Sequence, residues 1–382
     1  MLVMTSSAKK TYRIGLLGAG FMGRTHTYCW RVMEQFYGGC GFHVELGAVC
    51  TSNEKSARAA CEALGFKRWH TDTAALVNDP AVDIIDIASP NRFHYEALSA
   101  ALACGKPVYC DKPLTGNLAQ AEALAREAAD LDRAGQMTLQ YRFFPATMRA
   151  RTLVAEGRLG DIHAFRAVYL HSGNMADAKP LTFKDMRSEG GGVLYDMGSH
   201  VIDLVSWICG SGIAGGFAAQ KILNPRRPRG SDMALQDGDD MTAAVVRLEN
   251  GALGTIEASK IATGALDDLR FEIHGTQGGL RFSLMEPNYL EYFDASAPDA
   301  PLGGTAGFTR IQCGGKFDSP LLFPSPKNSI GWLAGHLHCA YTFMTALHQQ
   351  KPFDPSLRRG LMLERVLDAL QKSAETAGPF SL

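Results

Sequence analysis

The 382-residue sequence has no long apolar run and almost no excess of charge of either sign. A helix that spans a bilayer needs roughly 18–20 consecutive apolar residues. The first ten residues, MLVMTSSAKK, carry too short an apolar stretch for a signal peptide. The formal net charge of −1 gives no electrostatic reason to expect a nucleic acid or a membrane surface as a partner. We therefore expect a cytoplasmic protein that acts on a small molecule.

The sequence also lacks any paired cysteine motif. Its nine cysteines are scattered, and none forms a C-x-x-C pair, so neither a zinc site nor a disulfide framework is indicated. Unpaired thiols are typical of a reducing cytoplasm. The run His336-Leu-His338-Cys339 looks like a metal cluster, but residues two apart on a helix do not converge. We expect no metal.

The pattern of apolar residues predicts two domains. The composition, 46% hydrophobic and 20% charged, is that of an ordinary globular chain. Strand-like and helix-like runs alternate over the first 110 residues, which predicts β-α-β units on a doubly wound parallel sheet. Later strands such as Thr242 to Leu248 alternate apolar and polar residues, which favours an antiparallel sheet with one covered face. We expect an α/β fold with domains over residues 1–135 and 136–382.

The stretch from Tyr12 to Arg24 carries the clearest functional pattern. An apolar run leads into GAGFMG, and a helix-like segment follows, which is the strand–turn–helix context of a dinucleotide-binding loop. In such a loop the glycines allow a tight turn, a close pyrophosphate and close helix packing. A glycine-rich turn without a ligand is the alternative. The predicted contacts are Gly18, Gly20, Phe21, Met22 and Gly23.

The second predicted strand bears on the choice between NAD and NADP. It ends in Cys50-Thr51-Ser52-Asn53, without the carboxylate that commonly binds the 2′-hydroxyl of NAD. Lys55 and Arg58 follow, and they either favour a 2′-phosphate or simply solvate a helix face. Thr51 and Ser52 are the predicted contacts, and both NAD and NADP stay open.

Two further polar turns follow predicted strands. Ligands in parallel sheets lie at the carboxyl ends of the strands, so we expect cofactor contacts in Ser89-Pro90-Asn91-Arg-Phe-His94 and in Cys110-Asp111-Lys112-Pro113. Lys112 is suited to stabilise an oxyanion or a hydroxyl, although an ordinary surface lysine and ordinary capping residues are the alternatives. The predicted contacts are Ser89, Asn91, His94, Asp111 and Lys112.

A third candidate segment lies in the second half of the chain. Three glycines precede a predicted helix, on which Asp196, His200 and Asp203 share one face by their spacing. A carboxylate beside an imidazole fixes its tautomer and raises its basicity, as a general acid–base pair requires. The alternative is a surface Asp–His pair worth about 0.5 kcal/mol.

Together these motifs resemble the Gfo/Idh/MocA family, named after glucose–fructose oxidoreductase and inositol 2-dehydrogenase, over nearly the whole chain. The shared segments are the GAGFMG loop, Ser89-Pro90-Asn91 with His94, Asp111-Lys112-Pro113, Gln140-Tyr141-Arg142-Phe143 with Pro145, Gly191 to Asp203, Glu272-Ile-His-Gly-Thr-Gln-Gly and Val366-Leu-Asp-Ala-Leu. Asp111 stands where the family has Glu, which shortens the side chain beside Lys112.

The resemblance implies a Rossmann domain followed by an α/β domain with a large open sheet, which commonly forms a homo-oligomer, a dimer or a tetramer. It implies hydride transfer between nicotinamide and a carbon of a sugar or cyclitol. By the same resemblance, Lys112 would orient the reacting hydroxyl, His200 would take its proton and Asp196 would hold His200. Asn91, Arg142 and His171 are further candidates for substrate contact.

Two other functions fit the same motifs. Some relatives use transient oxidation to cleave a glycosidic bond, so a glycosidase is one alternative. A non-catalytic regulator that senses a nucleotide is the other, although such a protein could dispense with the lysine or with the Asp–His pair. A net redox change of the cofactor distinguishes a dehydrogenase from both.

Overall fold

Two β-sheets organise the protein, and the helices cover them unequally. The computed structural model describes residues 9–176, 179–317 and 321–382. In these ranges no helix is both long enough and apolar enough to cross a membrane. The predicted α/β fold, with a doubly wound sheet and a second, larger sheet, is confirmed.

The first sheet has six parallel strands in the order β3-β2-β1-β4-β5-β6. The strands that follow β1 in the chain are added first on one side of it (β2, β3) and then on the other (β4, β5, β6). The boundary between β1 and β4 is the switch point, where such folds bind ligands. The elements are β1 (Lys10–Leu17), α1 (Phe21–Phe36), β2 (Phe42–Cys50), α2 (Glu54–Leu64), β3 (Arg68–His70), α3 (Thr73–Val77), β4 (Ile84–Ile87), α4 (His94–Ala103), β5 (Val108–Asp111), α5 (Leu118–Glu127), α6 (Leu131–Ala134) and β6 (Gly135–Thr138).

The second sheet has nine strands in the order β16-β15-β14-β13-β7-β12-β11-β8-β17. Its pairs are antiparallel except for β7 with β12, which run parallel. The remaining elements, with the separate hairpin β9–β10, are α7 (Pro145–Ala155), β7 (Ile162–Leu170), α8 (Ser199–Cys209), β8 (Ile213–Lys221), β9 (Arg226–Arg229), β10 (Asp232–Leu235), β11 (Met241–Leu248), β12 (Leu253–Ser259), β13 (Asp268–Gly275), β14 (Gly278–Ser283), β15 (Tyr289–Asp294), β16 (Phe308–Gln312), α9 (Trp332–His348), α10 (Leu357–Thr376) and β17 (Phe380–Ser381).

Among the described residues, helices α7, α8 and α10 cover one face of the second sheet and leave the other face open. The strands alternate buried and exposed residues, as the sequence predicts for such a sheet. The open face includes Phe217, Val245 and Leu253, which are each more than 40% exposed. The homo-oligomer expected from this open sheet stays a prediction.

The end of the chain returns to the first sheet. Helix α9 packs against α1, and its Phe343 contacts the rings of Trp30 and Tyr109 in a shared apolar core. Strand β6 continues the first sheet to Thr138, three residues past the boundary that the sequence suggested at 135. The two domains are therefore joined by a common core as well as by the chain between them.

Helix α10 also makes a buried polar contact with the first domain. The carboxylate of Glu364 is fully buried, and its Oε1 accepts a hydrogen bond from the backbone N–H of Thr115 at 3.0 Å. Burial raises the pKa of Glu364 from 4.5 to about 8. The side chain is therefore mostly protonated in the folded protein at neutral pH, whereas it is ionised in the unfolded chain.

This shift predicts a stability that falls as the pH rises. Because the folded pKa is raised, the stabilising contribution is complete below pH 4.5 and is lost as the pH rises through about 8. Glu364→Gln mimics the protonated form and should raise the free energy of unfolding by about 4 kcal/mol at pH 8. The gain should vanish near pH 4.5. Urea unfolding at both pH values measures it.

The exposed Glu375 on the same helix provides the matched control. Glu375→Gln should change the free energy of unfolding by less than about 1 kcal/mol at either pH. If Glu364→Gln changes the free energy of unfolding equally at pH 4.5 and pH 8, the prediction is contradicted, because Glu364 is then ionised in the folded protein.

Candidate active site

One large cleft of about 1070 Å³ lies where the two domains meet. Its floor is the carboxyl edge of the first sheet, because the residues that follow β1, β2, β4 and β5 all line it. Its opposite wall comes from the second domain, including the ends of β7 and β12. The topological switch point between β1 and β4 opens into this cleft. Parallel sheets with this strand order bind their ligands at that point.

The glycine-rich loop after β1 is shaped by three different constraints. Gly18 has φ of +93°, and a Cβ there would lie 2.6 Å from the carbonyl oxygen of Ala88. A Cβ on Gly23 would lie 2.0 Å from the carbonyl oxygen of Gly18, so Gly23 lets α1 pack against the loop. A Cβ on Gly20 would meet nothing within 4 Å.

These differences fit a bound pyrophosphate. Gly18, Gly20, Phe21 and Met22 line the cleft, whereas Gly23 does not. Helix α1 starts at Phe21 with no side-chain cap and no acidic residue in its first turn. Its first N–H groups and its dipole are thus available to an anion. The residues present therefore fit the phosphates of a dinucleotide, with Gly20 on the open side.

The far end of the cleft lies beside β2. Thr51 and Ser52 line it, as predicted, but Lys55 and Arg58 do not. The Arg58 guanidinium pairs with Glu54 at 2.8 Å and lies over the ring of Trp69. Instead the cleft is lined here by Asp72, whose carboxylate caps α3 by accepting from the N–H of Ala75 at 2.8 Å. Sequence reasoning missed Asp72.

The turn after β4 connects the two domains. Ser89 and Asn91 line the cleft, and the Asn91 side chain donates to the carbonyl oxygen of Gly190 at 2.8 Å. His94 is fully buried and does not line the cleft. Its two ring nitrogens face the carbonyl oxygens of Ser89 and Pro113, each at 2.9 Å. His94 therefore holds two turns together in this structure, and its expected contact with a cofactor stays a prediction.

The turn after β5 carries Lys112 into the centre of the cleft. The Asp111 carboxylate accepts a hydrogen bond from the backbone N–H of Lys112 at 2.9 Å, which fixes the turn despite the shorter side chain. The Lys112 ammonium then reaches the carboxylate of Asp196 at 2.7 Å. Asp111, Lys112 and Asp196 all line the cleft. The structure thus brings together the motifs that are 84 residues apart in sequence.

Two more lysines bind the same carboxylate. Lys184 contacts both oxygens of Asp196, at 3.2 and 3.3 Å, and Lys260 lies 2.8 Å from Oδ2. With Lys112, these contacts supply a partner for each of the roughly four lone-pair positions of a carboxylate. Burial alone would raise the pKa of Asp196, but the three ammonium groups hold it well below its usual range. We call these four side chains the lysine–aspartate cluster.

The cluster leaves His200 without the predicted carboxylate partner. Within the described residues, Nδ1 of His200 is buried and has no hydrogen-bond partner, so the expected Asp196–His200 pair is not formed. Asp196 instead lies on a π-helical turn, Leu194–Gly198, that precedes α8. The physical reason is charge, because ammonium groups bind a carboxylate more strongly than a neutral imidazole does.

His200 lies between aromatic rings at the side of the cleft. Its ring is 4.9 Å from that of Tyr141 and 6.1 Å from that of Tyr169, measured between centroids. Burial and the nearby Lys112 lower the pKa of His200 well below 6.5. The imidazole is therefore neutral at physiological pH and can accept a proton.

A chain of hydrogen bonds runs beside His200. The hydroxyls of Tyr141 and Tyr169 are 2.6 Å apart, and Tyr169 donates to the carboxylate of Asp267 at 2.5 Å. All three line the cleft, together with His171, which sequence analysis had proposed for substrate contact.

Arg142 and Asp203 lie away from the cleft. The buried Arg142 guanidinium donates to Asp203 at 2.7 Å and to Asp354 at 2.9 Å. Asp203 also accepts from Arg359 at 2.7 Å. The interpretation of Arg142 as a substrate contact, and of Asp203 as a third member of the Asp196–His200 face, is not supported by these contacts. Arg142, Asp203 and Arg359 form a largely buried ion network that anchors α8, and the exposed Asp354 adds one contact to it.

Lys184 and Lys260 line the cleft, but neither gave a recognisable signal in the sequence. Lys260 is the first residue after β12, and His171 is the first residue after β7. These two strands are parallel neighbours, so their carboxyl ends meet at one edge of the sheet. Had that pairing been known, Lys260 would have been found by the same argument as Lys112. Among the described residues, no group of three His, Cys, Asp or Glu side chains could hold a metal ion.

Known proteins share this architecture over nearly the whole chain. Levoglucosan dehydrogenase from Pseudarthrobacter phenanthrenivorans is 29% identical over 94% of this chain and 95% of its own length. Inositol 2-dehydrogenase 2 from Saccharopolyspora erythraea is 30% identical over 71% of this chain and 73% of its own. The solved structure of levoglucosan dehydrogenase in complex with NADH superposes with a TM-score of 0.91 at 28% identity, covering 97% of this chain and 99% of that one.

Two family models match adjoining parts of the sequence. Residues 12–138 match the oxidoreductase family with an NAD-binding Rossmann fold, and residues 147–281 match the GFO/IDH/MocA C-terminal domain. Both matches agree with the two sheets and with the glycine-rich loop at the cleft. The protein is a member of the Gfo/Idh/MocA family of NAD-binding oxidoreductases.

Proposed function

We propose that the protein is an NAD-dependent dehydrogenase that oxidises a ring CH–OH group of a sugar or cyclitol to a ketone. The observation that carries the proposal is the meeting of Lys112, Asp196 and His200 in the cleft that also contains the glycine-rich loop. The names of the relatives, which include levoglucosan and inositol dehydrogenases, support the substrate class.

The first domain would hold the dinucleotide. Gly18, Gly20 and the start of α1 would bind the pyrophosphate, Thr51 and Ser52 would face the adenosine half, and Ser89 and Asn91 the nicotinamide half. When bound, the nicotinamide supplies the hydride acceptor, and this chemistry belongs to the cofactor. The protein's part is to orient the alcohol and to move its proton.

Lys112 is proposed to orient the reacting hydroxyl. An ammonium group beside the oxygen stabilises the negative charge that develops as the O–H proton leaves. Burial lowers the pKa of Lys112, and the nearby Asp196 opposes that shift. Asp196 is thus proposed to hold the ammonium in place and charged, while Lys184 and Lys260 hold Asp196. In this proposal Asp196 acts on Lys112 rather than on His200.

His200 is proposed to accept the proton of the hydroxyl. It is neutral at physiological pH, lines the cleft and lies next to the lysine–aspartate cluster. Because its pKa is lowered by burial and by Lys112, His200 is unprotonated at neutral pH and has a free ring nitrogen for the proton. In the direction of ketone reduction the same group would return the proton.

NAD is proposed as the preferred cofactor over NADP. Asp72 lines the end of the cleft where Thr51 and Ser52 lie. Burial raises the pKa of the neighbouring Cys50, and the negative charge of Asp72 raises it further. A carboxylate there would repel a 2′-phosphate. The cations that could have favoured NADP, Lys55 and Arg58, do not line the cleft.

The first test is an absorbance assay at 340 nm with NAD or NADP. The panel contains levoglucosan, D-glucosides, aldoses and inositols. We expect net reduction of NAD by one substrate class and a lower kcat/KM with NADP. Asp72→Asn keeps the helix cap but removes the charge, so it should raise kcat/KM for NADP relative to NAD by about tenfold.

The assay also separates the alternatives. Cleavage of a glycoside without net NADH formation would indicate a glycosidase. Tight NAD binding without any turnover would indicate a nucleotide-sensing regulator. Equal use of NADP by the protein and by Asp72→Asn would contradict the role of Asp72.

The glycine-rich loop offers a matched pair of variants. Gly20→Ala has room for its Cβ and an ordinary backbone conformation, so the melting temperature should stay within about 2 °C. The methyl group would occupy the open side of the loop, and NAD should bind at least about tenfold more weakly. Gly18→Ala places a Cβ against Ala88 at a positive φ, so it should lower the melting temperature instead. Calorimetry and NAD titration measure the two effects, and unchanged NAD binding by Gly20→Ala would overturn the placement.

The proposed catalytic roles are tested by Lys112→Met and His200→Asn. Each should lower kcat by roughly 10²-fold or more, because each removes a group that acts in the transition state. The dissociation constant for NAD should change by less than about threefold, since neither residue belongs to the glycine-rich loop. Stopped-flow absorbance and NAD titration give the two quantities.

Lys106→Met is the control for these variants. Lys106 is a lysine of the same domain that donates to the carbonyl oxygen of Asp79, outside the cleft. Its replacement should leave kcat unchanged. Near-normal kcat in both Lys112→Met and His200→Asn would refute the assignment of roles.

A further inference from the structure

A group of buried polar side chains lies within the otherwise apolar interface between the first sheet and helices α1 and α9. Asp86 on β4, Tyr109 on β5 and Gln136 on β6 all face these helices. From the helices, His26 of α1 and His336 of α9 enter the same layer, with their ring centroids 6.5 Å apart. We call this set, with Thr138 on the same side of β6 as Gln136, the polar layer.

Part of the polar layer is well bonded. The Asp86 carboxylate accepts from Nε1 of Trp30 at 2.7 Å and lies 2.8 Å from Nδ1 of His26. The amide nitrogen of Gln136 donates to the carbonyl oxygen of Cys339 at 2.9 Å. These contacts fix the side chains, so their remaining polar atoms cannot turn away to find other partners.

The remaining polar atoms of this region have no partner among the described residues. Each is almost completely buried, and an unpaired buried polar atom costs about 1–3 kcal/mol. The unpartnered atoms are Nε2 of His26, Oε1 of Gln136, Oγ1 of Thr138, both ring nitrogens of His336 and Nδ1 of His200. The Tyr109 hydroxyl, in contrast, is bonded to the thiol of Cys339. Buried polar groups gathered in this way are normally bridged by internal water.

The polar layer adjoins the cleft through two contacts. The ring of His336 lies 4.2 Å from that of Trp332, which lines the cleft and donates to the Tyr141 hydroxyl at 3.4 Å. Tyr141 in turn packs against His200. Burial lowers the pKa of His336 well below 6.5. His26 and His200 lie close enough to lower it further by charge repulsion. His336 thus lies between the proton acceptor of the cleft and the His26–Asp86 pair.

We propose that the polar layer binds a chain of internal water molecules that carries protons between Nδ1 of His200 and the His26–Asp86 pair by way of His336. The inference rests on the proposed function, because it assumes that His200 takes the proton of the substrate hydroxyl. His336 would act through His200 and is a positioning and relay residue, not one that touches the substrate.

The proton balance of one turnover is complete in this scheme. Oxidation of the alcohol removes a hydride and a proton, and Nε2 of His200 takes the proton. His200 then releases the proton on Nδ1 to the first water, and its imidazole is neutral again. The chain delivers a proton to Nε2 of a neutral His26, whose Nδ1 faces Asp86. After product release the proton returns along the same chain to the water that enters the cleft. Reduction of a ketone uses the same path in reverse.

The groups at the two ends suit this direction of transfer. Burial opposes a charge on His26, yet Asp86 raises the pKa of His26 above 6.5. A proton is therefore held better at the His26 end than on His200, whose pKa is lowered. The titratable groups that face His336 or its immediate neighbours are His26 and Cys29 on α1, Asp86 on β4, Tyr109 and Asp111 on β5, Lys112, His200 on α8 and Cys339 on α9.

The test replaces His336 in the full-length enzyme. His336→Leu breaks the chain, so kcat for alcohol oxidation should fall at least about tenfold, short of the roughly hundredfold or larger loss expected for His200→Asn. The KM and the dissociation constant for NAD should stay unchanged. The solvent isotope effect on kcat should rise in His336→Leu, because proton release then limits turnover. His336→Gln can still bond to water and should recover most of the rate.

His338 provides a matched control on the same helix. It is a buried histidine, but its Nδ1 is bonded to the Tyr37 hydroxyl at 2.7 Å, away from the polar layer. His338→Gln should leave kcat and its solvent isotope effect unchanged. Equal losses in His336→Leu and His338→Gln would show that the helix merely needs buried histidines for packing.

A crystal structure of the wild-type enzyme at about 1.5 Å gives a readout that does not depend on folding of a variant. We expect ordered waters bonded to Nδ1 of His200, to His336 and to Nε2 of His26. A dry layer would overturn the inference even if His336→Leu fails to fold. Failure of the proposed function looks different, because His200→Asn would then keep its activity or the wild type would show none.

Discussion

The meeting of three ammonium groups on the single buried carboxylate of Asp196 is the interaction on which the site depends. Lys112 comes from the first sheet, Lys184 from a loop of the second domain and Lys260 from the end of β12. A buried charge is costly unless it is paired. The lysine–aspartate cluster therefore holds the two domains in a fixed orientation, because Lys112 and Asp196 come from different domains. The shape of the cleft depends on that orientation.

The same constraint sets the chemistry available to the neighbouring side chains. With its carboxylate fully engaged, Asp196 keeps Lys112 in place and leaves His200 uncharged. Charge repulsion from Lys112 and burial act in the same direction on His200. A cationic group and a neutral base thus lie side by side, the combination that removal of a proton from an alcohol needs. The polar layer lies between the first sheet and helices α1 and α9, so the end of the chain packs against the domain formed by its beginning.

Much of the fold and part of the site could be predicted from local patterns. The strand, glycine loop and helix of residues 12–24 form one short unit, and the turns of Asn91 and Lys112 each follow a strand directly. Their positions follow from the rule that the carboxyl ends of parallel strands meet. The predicted ligand contacts of His94 and Arg142 show what such patterns leave open. Both side chains are bonded inside the protein, and sequence alone does not distinguish a buried partner from a bound ligand.

By itself, then, the sequence determined the doubly wound first domain, the open second sheet and the location of the dinucleotide loop, because these depend on contacts between near neighbours in the chain. Only the tertiary structure decided the partners of Asp196. Its three lysines are 84, 12 and 64 residues away in the chain, and no local spacing records that they converge. The same holds for Asp72 at the end of the cleft beside Thr51 and Ser52, and for His26 with His336 in the polar layer. Electrostatic interactions in a buried site depend on distance in space, whereas sequence patterns record only distance along the chain.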